Sequence, residues 1–209
     1  MKTLKESILS STRTGKMSKY TEFPKNKEEL FDIIGNEIRK NGDKCSLNHI
    51  DTSKIKDMSR LFVVFRLFNG DISEWDVSNV ENMSEMFAGS KFNGDISKWN
   101  VRKVKDMGFM FYESKFKGNK KDGISEWDVS NVENMKCMFA YSKFNGGKKG
   151  ISKWNVSNVE DMHGMFKENT EFDSDISNWK VNPDCKTDKM FYFCFIEEKY
   201  KPFKNGKRI

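Results

Sequence analysis

The residues of widest chemical reach in this 209-residue chain are two histidines, His49 and His163, and four cysteines, Cys45, Cys137, Cys185 and Cys194. A nucleophile needs a base beside it, and neither histidine has a companion that would make it a base or a ligand. No Cys-x-x-Cys spacing occurs, which speaks against a metal site or a disulfide framework. No Gly-rich phosphate loop is present, and no pair among the many carboxylates is singled out by spacing. The expectation is a chain with no catalytic residues, no cofactor and no metal, hence not an enzyme. Amines are the remaining chemistry. Lys117, Lys120, Lys121, Lys148 and Lys149 lie in two short Gly/Lys-rich stretches, in a chain whose 37 basic and 31 acidic residues leave a net charge of +6. Such lysines suit an acidic protein face or a polyanion, or simply keep a loop in water.

The elements that must carry these lysines are written in a repeated phrase. Ile72-Ser73-Glu74-Trp75-Asp76-Val77 leads to Met83, Met86 and Phe87, and the phrase returns from Ile96, Ile124, Ile151 and Ile176. All five tryptophans, at positions 75, 99, 127, 154 and 179, belong to it, with separations of 24, 28, 27 and 25 residues. That period is the signature of a stacked array. A degenerate first copy places Ile50 at the Trp position, Met58 at that of Met83 and Leu61-Phe62 at that of Met86-Phe87. Met83, Met86, Met107, Met110, Met135, Met138, Met162 and Met165 keep fixed spacing, which reads as core filler rather than a soft-metal surface. The tryptophans read as a buried or half-buried ladder, with exposed stacking platforms as the alternative.

Within a unit, Ile-Ser-x-Trp alternates as a short strand would, and the Met-x-x-Met-Phe part reads as a short helix or helical turn. Asp57, Asn82, Asp106, Asn134 and Asp161 share one column just before the Met. They are helix N-cap types, and a ladder of side chains on successive coils is the other reading. The residue before Trp runs Glu74, Lys98, Glu126, Lys153, so stacking sets opposite charges side by side. What varies is the linker: three residues between Phe92 and Ile96, seven between Phe116 and Ile124, six between Phe144 and Ile151. The added residues carry the five lysines, on loops that should bulge from one edge.

The phrase Ile-Ser-x-Trp-Asn/Asp-Val-Ser-Asn-Val-Glu-Asn/Asp-Met-x-x-Met-Phe-x-x-Ser-x-Phe-Asn-Gly-Asp resembles the BspA-like leucine-rich-repeat family, and more narrowly the repeat of roughly 25 residues found in mycoplasma surface lipoproteins. The resemblance implies an α/β repeat, an LRR-like solenoid with a short strand and a short helix or helical turn per unit. It implies binding through the array surface and supplies no catalytic residues. The opening Leu4-Lys5-Glu6-Ser7-Ile8-Leu9-Ser10-Ser11-Thr12 is similar to the starts of various gut bacteriophage proteins.

The expected organisation is a flexible polar arm over 1–20, a helical cap over 21–48, five repeats over 49–192, and a cap end with a basic tail over 193–209. The cap helix is expected over 26–40, where Leu30, Phe31, Ile33, Ile34 and Ile38 form an apolar stripe and Gly42 follows as a stop. No signal peptide and no span long enough for a bilayer is legible, so a cytoplasmic chain is expected, or a virion-associated one if the origin is a phage. The functional expectation is a protein-interaction module that uses the solenoid surface and its Lys/Gly loops. Nucleic-acid or other polyanion binding through the same loops and the C-terminal tail is the alternative.

Overall fold

The computed structural model describes residues 19–120 and 123–209. The arm expected over 1–20 therefore lies, but for Lys19 and Tyr20, outside the described residues. Helix α1 spans Lys27–Asn41. Asn26 caps it by accepting from the Glu29 N–H at 2.9 Å, Glu28 and Glu29 face its positive end, and Arg39 and Lys40 its negative one. Gly42, at φ 79°, closes it through an N–H bond to the Ile38 carbonyl. Leu30 and Ile34 are fully buried, and Gly35 lets the helix come close to Phe65: a Cβ there would sit 3.3 Å from the Phe65 ring.

The repeats lie one over the next in parallel register. Single-residue parallel bridges run from Asp57 to Asn82, Asp106, Asn134, Asp161 and Lys186 in turn. Around each bridge the backbone ladder recurs, for example Met83 N–H to Asp106 O at 2.8 Å, Glu85 to Gly108 at 2.9 Å and Phe87 to Met110 at 2.9 Å. Inside a unit, tight turns follow one another. Trp75 donates to Ile72, Val80 to Val77, Met86 to Met83, Ala88 to Glu85 and Ser90 to Phe87, each three residues back.

The local structure thus differs from the sequence expectation in two places. Ile72–Trp75 is a turn and not a strand, because Asp71 Oδ1 accepts the Ser73 N–H at 3.0 Å and bends the chain there; Asp95 does the same for Ser97, and Asp175 for Ser177. The Met-Phe segment is not helical. Glu85, Phe109, Cys137 and Gly164 hold φ of 56°, 56°, 51° and 60°, and a left-handed residue stops helix propagation. The Asn/Asp column before the Met caps no helix. Asn82, Asp106, Asn134 and Asp161 form the bridges while each side chain accepts the N–H two residues on, at 2.8, 2.8, 2.9 and 2.8 Å. Only Asn134 also reaches sideways, to Asp106 Oδ1 at 3.0 Å, as a side-chain ladder would.

The core runs the length of the stack. The eight methionines are fully buried and the five tryptophans are 3–4 % exposed. Each indole N–H donates to a carbonyl one repeat back: Trp75 to Leu47, Trp99 to Ile72, Trp127 to Ile96, Trp154 to Ile124 and Trp179 to Ile151. Two columns of phenylalanine stack alongside. Phe62, Phe87, Phe111, Phe139, Phe166 and Phe191 follow one another at 5.2–5.7 Å between ring centres. Phe68, Phe92, Phe116, Phe144 and Phe172 do so at 6.0–6.5 Å. Offset aromatic pairs contribute about 0.5–1.5 kcal/mol each beyond the area they bury.

The basic C-terminal segment folds back on the last repeat. A short 3₁₀ turn at Glu198–Tyr200 is followed by a hairpin of β1 (Phe203–Lys204) and β2 (Lys207–Arg208). Asn205 and Gly206, at φ 50° and 75°, make its two-residue turn. Phe203 bridges to Lys180, the Tyr200 carbonyl accepts from Ile176, and the Lys204 amine bonds the Cys185 carbonyl.

Candidate interaction surface

The two long Gly/Lys loops meet. Gly118, Gly123 and Gly147 have φ of 68°, 63° and 69°, and a Cβ on Gly123 or Gly147 would fall 2.0 or 2.4 Å from the Gly118 carbonyl oxygen. Only glycine fits three such positions around one carbonyl, so the insertions of two successive repeats are pinned together. Their bases are fixed as well. Lys117 donates its backbone N–H to Asn93 Oδ1 and Asn93 donates its own to Asn69 Oδ1, both at 2.9 Å, and Gly123 closes a turn onto Lys120 O at 2.7 Å.

The side chains of Lys117, Lys120, Lys148 and Lys149 are exposed around this junction, and Lys121 lies outside the described residues. On the same edge Lys91 and Lys115 are exposed, whereas Lys143 pairs with Glu171 at 2.9 Å. Opposite charges do meet in the column before Trp: Glu74 with Lys98 at 3.2 Å and Glu126 with Lys153 at 3.0 Å. Exposed pairs of this kind contribute about 0–1 kcal/mol.

The thiols are held in their neutral form. Burial raises the pKa of Cys45, Cys137 and Cys194, and takes that of Cys185 to about 11. A neutral thiol is a poor nucleophile and a poor metal ligand. His49 lies 3.8 Å from Glu37, and His163 donates its backbone N–H to Asp161 Oδ1 while its carbonyl accepts the Cys137 N–H at 2.9 Å. Among the described residues no three His, Cys, Asp or Glu side chains gather where a cation could sit. A depression of about 570 Å³ is lined by Glu133, Glu160, Asp161, Asp184 and Lys186 among others. No helix of the described residues is long and apolar enough to cross a membrane.

One surface feature escaped the sequence reading. Aromatic residues line up on the outside of the Met-Phe half: Phe109 and Tyr112 meet edge-on at 5.6 Å, as do Tyr112 and Tyr141. Lys136 lies over Phe109, and Lys167 over both Tyr141 and Tyr192 at 5.3 and 6.0 Å. The Tyr141 hydroxyl donates to Glu168 at 2.9 Å. These residues come from variable columns, so the only sequence signal was that they are aromatic where neighbouring copies have Glu, Cys, Lys, Ala or Gly.

No curated protein and no solved structure matches the chain. One family model does, twice in tandem, over residues 36–122 and 113–197. Its two matches overlap at 113–122, across most of the first Gly/Lys loop, and together they run from within α1 to the last repeat. With most of its length so matched, the chain belongs to the family described as mycoplasma protein of unknown function, DUF285.

Proposed function

We propose that the chain is a non-enzymatic protein-interaction module, an LRR-like solenoid of the BspA-like kind that presents its Lys/Gly loops to an acidic face of a partner protein. The observation that carries this reading is the junction at Gly118, Gly123 and Gly147. A loop needing only to bridge two repeats manages with three residues between Phe92 and Ile96, yet two neighbouring loops are longer, glycine-pinned and lysine-tipped. Pinning lowers the entropy lost when a partner orders the lysines, which favours binding over mere solvation.

The test replaces Lys117, Lys120, Lys121, Lys148 and Lys149 with Glu. Proteins retained by the wild type from native lysate and quantified by mass spectrometry should be lost with the variant, while circular dichroism stays unchanged. Equal retention by both would remove the lysines from the interface.

A polyanion is the second reading, favoured by exposed Lys117, Lys120, Lys148 and Lys149 around one junction. Affinity for a 20-base-pair duplex should then fall steeply with salt, with a logarithmic slope of about −0.9 for each phosphate neutralised. Absence of duplex binding at low salt would leave the protein partner alone.

A further inference from the structure

The last coil ends the stack with its hydrogen-bonding edge open. In repeats two to five, four N–H groups spaced two residues apart donate to carbonyls of the next coil; in repeat five they belong to Met162, Gly164, Phe166 and Glu168, at 2.7–3.0 Å. The same columns in the last coil hold Thr187, Lys189, Phe191 and Phe193. Lys189 and Phe193 keep the left-handed conformation of their columns, at φ 55° and 52°, so the edge has the geometry of those beneath it. No group of the described residues accepts from these four N–H groups. The carbonyls of Thr187, Lys189 and Phe191 are meanwhile occupied by the coil's own turns, accepting from Met190, Tyr192 and Cys194. From Thr187 to Phe191 the edge therefore offers donors and no free carbonyl. The C-terminal segment reaches the coil at Ile176, Lys180 and the Cys185 carbonyl, with Lys201 over the Phe191 ring, and leaves Tyr192, Phe193 and Phe195 exposed by 48, 61 and 73 %.

A second copy does not complete this edge. Two such edges would set donor against donor, and α1 packs over the other end of the stack, with Leu30 and Ile34 in the core and Lys27 bonded to the Asp57 carboxylate and the Ser59 hydroxyl. The occupant must bring a row of carbonyls with a spacing of two, which is an extended peptide. Its charge follows from the surroundings: residues 186–209 hold seven basic and three acidic side chains, four of the six net positive charges of the chain. We propose that the open C-terminal edge captures an extended acidic segment of a partner protein. That segment's carbonyls accept from Thr187, Lys189, Phe191 and Phe193, and its apolar side chains pack on Tyr192, Phe193 and Phe195. This surface is separate from the lysine loops and does not depend on their role.

The test titrates the full chain with a fluorescein-labelled ten-residue peptide of alternating Glu and Val, alongside its Lys/Val counterpart. The acidic peptide should bind saturably and at least about tenfold tighter, through charge complementarity. Replacing four alternate peptide amides with esters, whose carbonyls accept weakly, should cost a further tenfold or so. Amide exchange at Thr187, Lys189, Phe191 and Phe193 should slow about tenfold on binding, and exchange at Lys117 and Lys148 should not. The variant Lys189→Glu with Phe193→Asn, the latter tolerant of φ 52°, should lose the acidic peptide; the ester comparison stands whether or not that variant folds. Failure of the Glu/Val peptide to bind, equal binding of the ester peptide, or binding without slower exchange at the four amides would each overturn the proposal. So would sedimentation showing self-association that protects these amides without peptide, which would assign the edge to a second copy.

Discussion

A tryptophan buried in a stack of turns has to dispose of its indole N–H, and here it does so five times by the same route, onto a carbonyl one repeat back. The bond joins neighbouring coils, and its acceptor carbonyl also takes the backbone N–H from three residues on. Trp127→Phe keeps an aromatic ring in the column but removes the bond between coils, leaving the Ile96 carbonyl with the Trp99 backbone N–H alone, and opens a small void, so it should cost about 1–3 kcal/mol in urea unfolding. An unchanged midpoint would mean that water replaces the indole. Backbone conformation sets the next prediction. Glu113 holds φ 53° at an exposed position where the preceding repeat has Gly89 at φ 67°. Glu113→Gly should stabilise the protein by about 0.5–1 kcal/mol through relief of left-handed strain. Gly118→Ala should do the opposite, since φ is 68° and the new Cβ would sit 2.7 Å from the Phe144 ring. Thermal melts of the two variants should therefore move in opposite directions.

At the scale of elements, α1 was legible because its apolar stripe and its Gly42 stop say the same thing. The turns were harder to read. Met83 and Met86 stand three apart, as helix neighbours do, but the spacing arises from a turn with left-handed Glu85 between them. The signal present and undervalued was Asp71-x-Ser73 with its later copies, an Asx turn written where alternation suggests a strand. The candidate loops were visible as insertions, whereas their joining at Gly118 and the Phe109–Tyr112–Tyr141 line arise only when distant copies are stacked. Asx turns also make the elements acid-sensitive. For Asp71 burial works to raise the pKa, and the Ser73 N–H and hydroxyl outweigh it; Asp57 is likewise lowered against burial by Ser59 and Lys27. Bonds from Ser130 lower Asp128, and those from Ser177 lower Asp175. Groups depressed in the folded state stabilise it fully above the unfolded carboxylate pKa of about 3.9 and lose that contribution as pH falls through their folded values. The urea midpoint should be flat from about pH 5 to 7 and drop below about pH 4. Asp71→Asn keeps the acceptor oxygen and removes the titration, so it should shrink that drop; an equal drop would put the acid sensitivity elsewhere.

The whole molecule is a column in which each coil touches only the two beside it, so its stability is a sum of coils and interfaces rather than one indivisible quantity. The interior interfaces repeat the same Trp bond, Met pair and stacked Phe, and the two end coils are held by different means. At one end α1 buries Leu30 and Ile34. At the other, residues 197–209 hold the last coil through the Phe203–Lys180 bridge and the bonds to Ile176 and Cys185. Cutting the chain after Ile196 removes those ties while leaving repeats two to four with every neighbour they had. The last coil should then open first and take with it the carbonyls of Lys186, Asp188, Met190 and Tyr192, the acceptors for repeat five. Hydrogen exchange reads this directly. The amides of Met162, Gly164, Phe166 and Glu168 should exchange at least about tenfold faster than in the full chain, and those of Met83, Glu85 and Phe87 should change less than about threefold. Equal acceleration at both sites would show that the column unfolds as one cooperative unit. In that case a partner docked on the C-terminal edge would stabilise the lysine loops as strongly as the coil it touches.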